Sequence, residues 1–299
     1  MKKIRIISLA LIALCVCLSA VSCEESPSGT VPATSLETSV GTQTSTAPIT
    51  STVNTGNTTV TLNDGDTLVN GEGAEFKDGT LSITKAGVYT VSGKLTDGQI
   101  YVNVEKPGEV ELVLNGVDIK SSKTAAIYIA CAGKIKINVA NGTENKLSDA
   151  TSYKFEEGTD EPNACIFSAD DMTIKGSGTL IVTGNYKNGI SSKNDIKIKE
   201  VNLTVNAYNT AIRGKDSVEI ESGVIKIESG NDGIKSSNST EIGRGYVLIT
   251  GGDITIVAED DGIQAETDVT VKGCTVKITA NGKSVNSAGT VNVAEGCIK

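Results

Sequence analysis

The sequence contains no histidine and no tryptophan. Without histidine there is no Ser-His-Asp or Cys-His nucleophile system, no histidine zinc site and no histidine acid–base catalysis. Aromatic residues number ten, seven Tyr and three Phe, too few to fill a two-layer core with large rings. Seven cysteines include no CxxC pair, which excludes a zinc ribbon. Basic residues are the minority, 27 Lys and Arg against 36 Asp and Glu in 299 residues, a formal charge of −9. That balance argues against nucleic acid as a partner, because duplex binding needs clustered Lys and Arg. What is abundant is 38% hydrophobic residues, drawn mostly from Val, Ile, Ala and Leu, and 32 glycines that point to many tight turns.

The first residues read as an address. Lys2, Lys3 and Arg5 form a positive region, and the apolar run Ile6 to Leu18 is short for a bilayer span. Small residues then precede Cys23, in the pattern of a bacterial lipoprotein cleavage site. Residues 1–22 are therefore expected to be a signal peptide of the lipoprotein type, with Cys23 lipidated. Plain secretion is the alternative, since Ala20 stands where leucine is usual. Loss of 1–22 leaves 24 basic and 36 acidic groups, a net charge of −12. Residues 24–59 hold 17 Ser or Thr among 36 and no Lys, Arg or aromatic. Such a composition cannot offset the entropy of ordering, so 23–57 is expected to be a disordered tether. Cys131, Cys165, Cys274 and Cys297 are too widely spaced for a disulfide scaffold and read as small hydrophobes.

From residue 163 the chain repeats. Ile166, Ile190, Ile212, Ile234, Ile263 and Val285 recur at intervals of 24, 22, 22, 29 and 22 residues. Within each segment apolar residues alternate with polar ones, the period of a strand. Ile196, Val218 and Val269 stand six after the opening residue; Ile198, Ile220, Ile242 and Val271 stand eight after it. Leu203, Ile225 and Val276 stand thirteen after, and Val205, Ile227 and Ile278 fifteen; Thr240 replaces the apolar residue in one rung. A unit near 22 residues fits one coil of a parallel β-helix, with equivalent residues stacked ~4.8 Å apart. The longer interval before Ile263 is expected to bulge near Gly243-Arg244-Gly245-Tyr246. Residues 58–140 read as earlier coils of less regular spacing, and 141–163 as a polar insertion.

Val110-Glu111-Leu112-Val113-Leu114-Asn115-Gly116-Val117, Ala126-Ile127-Tyr128 and Glu144-Asn145-Lys146-Leu147-Ser148-Asp149 resemble a secreted bacterial family. It is the carbohydrate-binding β-helix family typified by a clostridial cellulose- and pectin-binding protein. Asp232-Gly233-Ile234-Lys235-Ser236 and Asp261-Gly262-Ile263-Gln264-Ala265 continue the likeness, which spans about 58–299. The resemblance implies an all-β, right-handed single-stranded parallel β-helix similar to pectate lyases, bound Ca²⁺, and binding of plant cell-wall polysaccharide, acidic sugars included. Asn188 and Thr210 stand where the family often has acids.

Stacking makes distant polar residues neighbours. Two before each opening isoleucine stand Asn188, Thr210, Asp232 and Asp261; three before stand Lys187, Asn209, Asn231 and Asp260. Asp232, Asp260 and Asp261, with Asn231 as a carbonyl ligand, form a candidate Ca²⁺ site, since close carboxylates repel unless a cation joins them. Turn chemistry alone is the competing reading, because Asp-Gly pairs recur wherever a chain turns. Asp170, Asp171 and Asp195 form a second acidic column with a weaker claim on a metal. Arg213 and Lys235, with Lys193 and Lys215, supply cations for uronate carboxylates. Tyr186 and Tyr208, 22 apart, are expected to stack as a small sugar platform. The absence of broad aromatic strips favours acidic polysaccharide over neutral glucan. The expected function is calcium-dependent binding of acidic plant polysaccharide at the bacterial cell surface. The alternatives are a polysaccharide lyase using calcium with Arg213 or Lys235 as base, and a spacer with no ligand.

Overall fold

The computed structural model describes residues 57–155 and 158–299. The expected signal peptide, the tether and Cys23 lie outside the described residues. Among the described residues every regular element is a strand, and the strands form sheets of seventeen and ten. Nearly all pairings are parallel, and the exceptions lie at the start, where Asn57–Leu62 pairs antiparallel with Leu68–Asn70 and Ala74–Lys77 with Thr80–Ile83. The fold is a parallel β-helix.

Three faces are built by the coiling. The ten-stranded sheet is one. The seventeen-stranded sheet supplies the other two, joined where the long strand Glu109–Lys120 crosses a corner. Its first half pairs with Lys134–Val139 and its last residues with Glu144–Ser148. That last strand lies inside the stretch expected to be a polar insertion, so the departure from the coil is shorter, from about Asp149 to Asn163.

The expected ladders are present. Ile127 pairs with Ile166, which continues to Ile190, Ile212, Ile234, Ile263 and Val285. Ile127 to Ile263 in this column are all fully buried. On the third face Leu180, Leu203, Ile225, Ile254 and Val276 stack in the same way. Each such side chain contributes about 1.5–3 kcal/mol by leaving water. Tryptophan is unnecessary because a narrow coil is filled by aliphatics of equal size on successive levels.

One expected rung is corrected. Ile242 does not join the column of Ile198 and Ile220; it is fully exposed, at 104%. The places of Thr240 and Ile242 are taken seven residues later by Val247 and Ile249, which pair with Val218 and Ile220. The extra residues loop out from Ser237 to Gly245, and the chain returns at a glycine. Gly245 has φ +79°, and a Cβ there would come 2.1 Å from the Asn238 carbonyl oxygen. Glycine is also required within the Asp-Gly-Ile motif. A Cβ on Gly233 would meet Ile256 Cγ2 at 2.5 Å, and one on Gly262 would meet Ile278 Cγ2 at 2.4 Å. These corners pack directly on the core, which is why a residue without a side chain recurs there.

The four described cysteines form no disulfide among the described residues; Cys165 and Cys297 are buried, Cys131 and Cys274 half-buried. Burial pushes the Cys165 thiol well above its ordinary value.

Candidate functional site

The turn leading into each strand of the ten-stranded sheet carries the column of Asp232 and Asp261, and the turn leaving it carries Asp170 and Asp171 and, on the next coil, ends at Asp195. Asp232 and Asp261 are carried on successive coils, because Ile234 and Ile263 are register partners. The Asp261 N–H also points at Asp232 Oδ1, 3.4 Å away. Carboxylate oxygens of Asp232, Asp260 and Asp261 lie within 4.8 Å of one another. Adjacent residues on a strand diverge, but Asp260 and Asp261 sit in the turn between Asp253–Ala258 and Ile263–Ala265, where the backbone rotates. Asp232 and Asp261 are buried and Asp260 is exposed, so the trio has one open side.

The trio is partly satisfied within the chain. Lys235 Nζ donates to Asp232 Oδ2 at 2.7 Å. Asn286 Nδ2 donates to Asp261 Oδ2 at 2.6 Å, and the Lys283 N–H to Asp261 Oδ1 at 2.8 Å. A single ammonium does not balance three carboxylates, and the donor set is all hard oxygen. These residues fit a Ca²⁺-type cation. The Asn231 backbone carbonyl accepts from the Asp260 N–H at 3.3 Å, and Asn231 lines a cleft with Arg213 and Lys235.

Arg213 and Lys235 are register partners on the outer side of the ten-stranded sheet, and both line that cleft. Arg213 Nη2 donates to Ser237 Oγ at 3.2 Å. Lys193 is instead paired with Glu161, at 3.1 Å, and Lys215 is exposed. Lys187, three before Ile190, shares the cleft and was passed over as a ligand residue although it heads the same column as Asn231.

The expected Tyr186–Tyr208 stack does not form. The Tyr186 ring stacks on Tyr153, centroids 4.4 Å apart at 21°, with Phe155 at 5.9 Å. Both partners come from the insertion, which supplies a closer ring than the next coil does. Tyr208 is left 74% exposed on the rim of a groove with Asn206, Glu228 and Glu259.

Two of the three acids of the second column are ion-paired within the chain. Asp170 pairs with Lys106 and accepts the Ala132 N–H at 2.8 Å. Asp195 receives Arg244 Nη1 at 2.9 and 3.2 Å and the Ser217 hydroxyl at 2.7 Å. Arg244 comes from the looped-out segment; the longer repeat interval placed a bulge there but not its contact with Asp195.

An aromatic column escaped the sequence reading altogether. Tyr101, Tyr128 and Phe167 are register partners, with centroids 5.3 and 5.8 Å apart in edge contact. Each follows a ladder residue directly, so the signal was present. The column continues as Ser191, Arg213, Lys235 and Gln264.

A family described as carbohydrate-binding domain-containing protein matches residues 77–298. A carbohydrate-binding domain-containing protein of Acetivibrio thermocellus is 51% identical over 237 residues, 79% of this chain and 83% of that protein. A solved structure, described as the polysaccharide lyase-like protein from C. thermocellum in a gadolinium derivative, superposes with a TM-score of 0.78 at 45% identity. That likeness covers 81% of this chain and 98% of the other. A β-helix with these relatives belongs to the carbohydrate-binding domain-containing protein family.

Proposed function

We propose that the chain binds plant cell-wall polysaccharide in a calcium-dependent manner at the bacterial surface, preferring acidic, polygalacturonate-like chains to neutral glucan. The observation that carries this reading is the meeting of Asp232, Asp260 and Asp261 within 4.8 Å, beside a cleft that holds Arg213 and Lys235. A cation in the trio and guanidinium and ammonium groups next to it suit a polymer with a carboxylate on each sugar. Cys23, acylated, would hold the domain at the membrane through the tether.

Binding is favoured over lyase chemistry because the two groups named as lyase bases, Arg213 and Lys235, both stand as hydrogen-bond donors, to Ser237 and Asp232, and holding a uronate carboxylate uses them in that same donor role. Calorimetry with polygalacturonate, in calcium and in chelator, tests the reading. Binding in calcium that weakens in chelator is expected, and absence of binding in both overturns it. Product absorbance at the unsaturated bond is expected to stay flat.

A further inference from the structure

The cleft beside the acidic trio has a volume of about 280 Å³ and a strongly polar wall. Lys187, Arg213 and Lys235 reach it from three successive coils, against one acid, Asp160. Asn188 lines it as well and is 97% buried (3% exposed). Its Nδ2 donates to the carbonyl and the Oδ1 of Asn163, at 3.1 and 3.3 Å. Its own Oδ1 is buried with no hydrogen-bond partner. A buried acceptor without a donor is costly, and here it borders a cationic cleft. The ligand that meets both demands carries an anion and, close to it, a hydroxyl that donates. A uronic acid residue has that pairing.

Lys235 belongs to both halves of this face, since it lines the cleft and donates to Asp232 at 2.7 Å. A divalent cation among the three carboxylates would stand next to that ammonium, and like charges at such separation repel. We propose that Lys235 couples the two sites. Cation binding displaces it from Asp232, and the freed ammonium turns into the cleft. There it joins Lys187 and Arg213 around the carboxylate of one uronate residue, whose hydroxyl donates to Asn188 Oδ1. The inference rests on the calcium-binding reading above and adds to it a direction of coupling. By linkage each ligand strengthens the other by the same factor.

Calorimetry with calcium alone, digalacturonate alone and both together tests this on the intact protein. Calcium is expected to tighten digalacturonate binding about fivefold or more, and digalacturonate to tighten calcium equally. In Lys235→Met, and in Lys235→Gln, calcium alone is expected to bind more tightly, because its competitor is gone, and the coupling factor to fall towards one. Lys187→Met is expected to weaken digalacturonate equally with and without calcium. If the Lys235 variants keep the full coupling, the cation bridges the sugar directly and the role of Lys235 is overturned. If calcium binds but digalacturonate is indifferent to it, the coupling is overturned while the calcium site stands. If calcium does not bind at all, the underlying reading fails as well.

Discussion

The Tyr153 hydroxyl donates to Asp149 Oδ2 at 2.6 Å, at the point where the chain leaves the coil. Asp149 is buried, and its other oxygen accepts the Asn185 N–H. Burial pushes the Asp149 carboxyl above its ordinary value of 3.8, and the hydrogen bonds from Tyr153 and Asn185 offset only part of that. The folded state then holds the Asp149 proton more tightly than the unfolded chain. Stability drawn from this group is therefore full below pH 3.8 and declines as pH rises through the raised folded value. Subtracting the melting curves of Asp149→Asn from those of the native protein is expected to show that decline in the interval just above pH 3.8. A flat difference would refute it.

Tyr153→Phe removes the hydroxyl but keeps the ring on Tyr186. It leaves a buried carboxylate oxygen short of a donor, at an expected cost of about 1–3 kcal/mol in chemical denaturation.

The two isoleucines offered for one column separate cleanly. Ile220 is 1% exposed and Ile242 is 104% exposed. Ile220→Ala is expected to cost about 2–5 kcal/mol. Ile242→Ala is expected to stay within about 0.5 kcal/mol of the native protein. Equal effects would contradict the register of Val247 and Ile249.

The two tyrosines expected to act together are expected to respond differently. Tyr186→Ala breaks a three-ring cluster with Tyr153 and Phe155 and is expected to lower the melting temperature. Tyr208→Ala removes an exposed ring and is expected to leave the melting temperature unchanged. Any loss of polysaccharide affinity in Tyr208→Ala then reports a contact with sugar, read by affinity electrophoresis.

Asp260 is the exposed member of the trio, so Asp260→Asn tests the cation with least damage to the fold. Calcium affinity is expected to fall roughly tenfold or more, since affinity follows the charge count of the ligands. Chelator is expected to lower the melting temperature of the native protein and to have less effect on the variant.

How far the sequence carried depended on whether a feature repeats. The Ile190, Ile212 and Ile234 ladder could be read directly, because parallel stacking turns a constant interval of 22 residues into a contact, and Ile263, 29 residues on, was carried by the repeated Asp-Gly-Ile. The convergence of Asp232, Asp260 and Asp261 followed from the same motif, since both Asp-Gly-Ile segments place their aspartate two before a ladder residue. Ile242 was misplaced because counting from Ile234 assumes that the extra residues come after the second strand, whereas they come before it. The partners of Tyr186 and Asp195 were invisible for a different reason. Tyr153, Phe155 and Arg244 lie in segments outside the repeat, and no periodicity says where such a segment folds back. Lys235 was read as a free cation because a column gives position and not pairing.

The excursion from Ser237 to Gly245 leaves the levels on either side in step, with Val218 on Val247 and Ile227 on Ile256. Length at that corner is thus decoupled from the architecture. The scaffold behaves there like a socket: sequence of a new size and purpose is accommodated without retuning the coils, and one arginine carried on it is enough to clasp the surface two levels away.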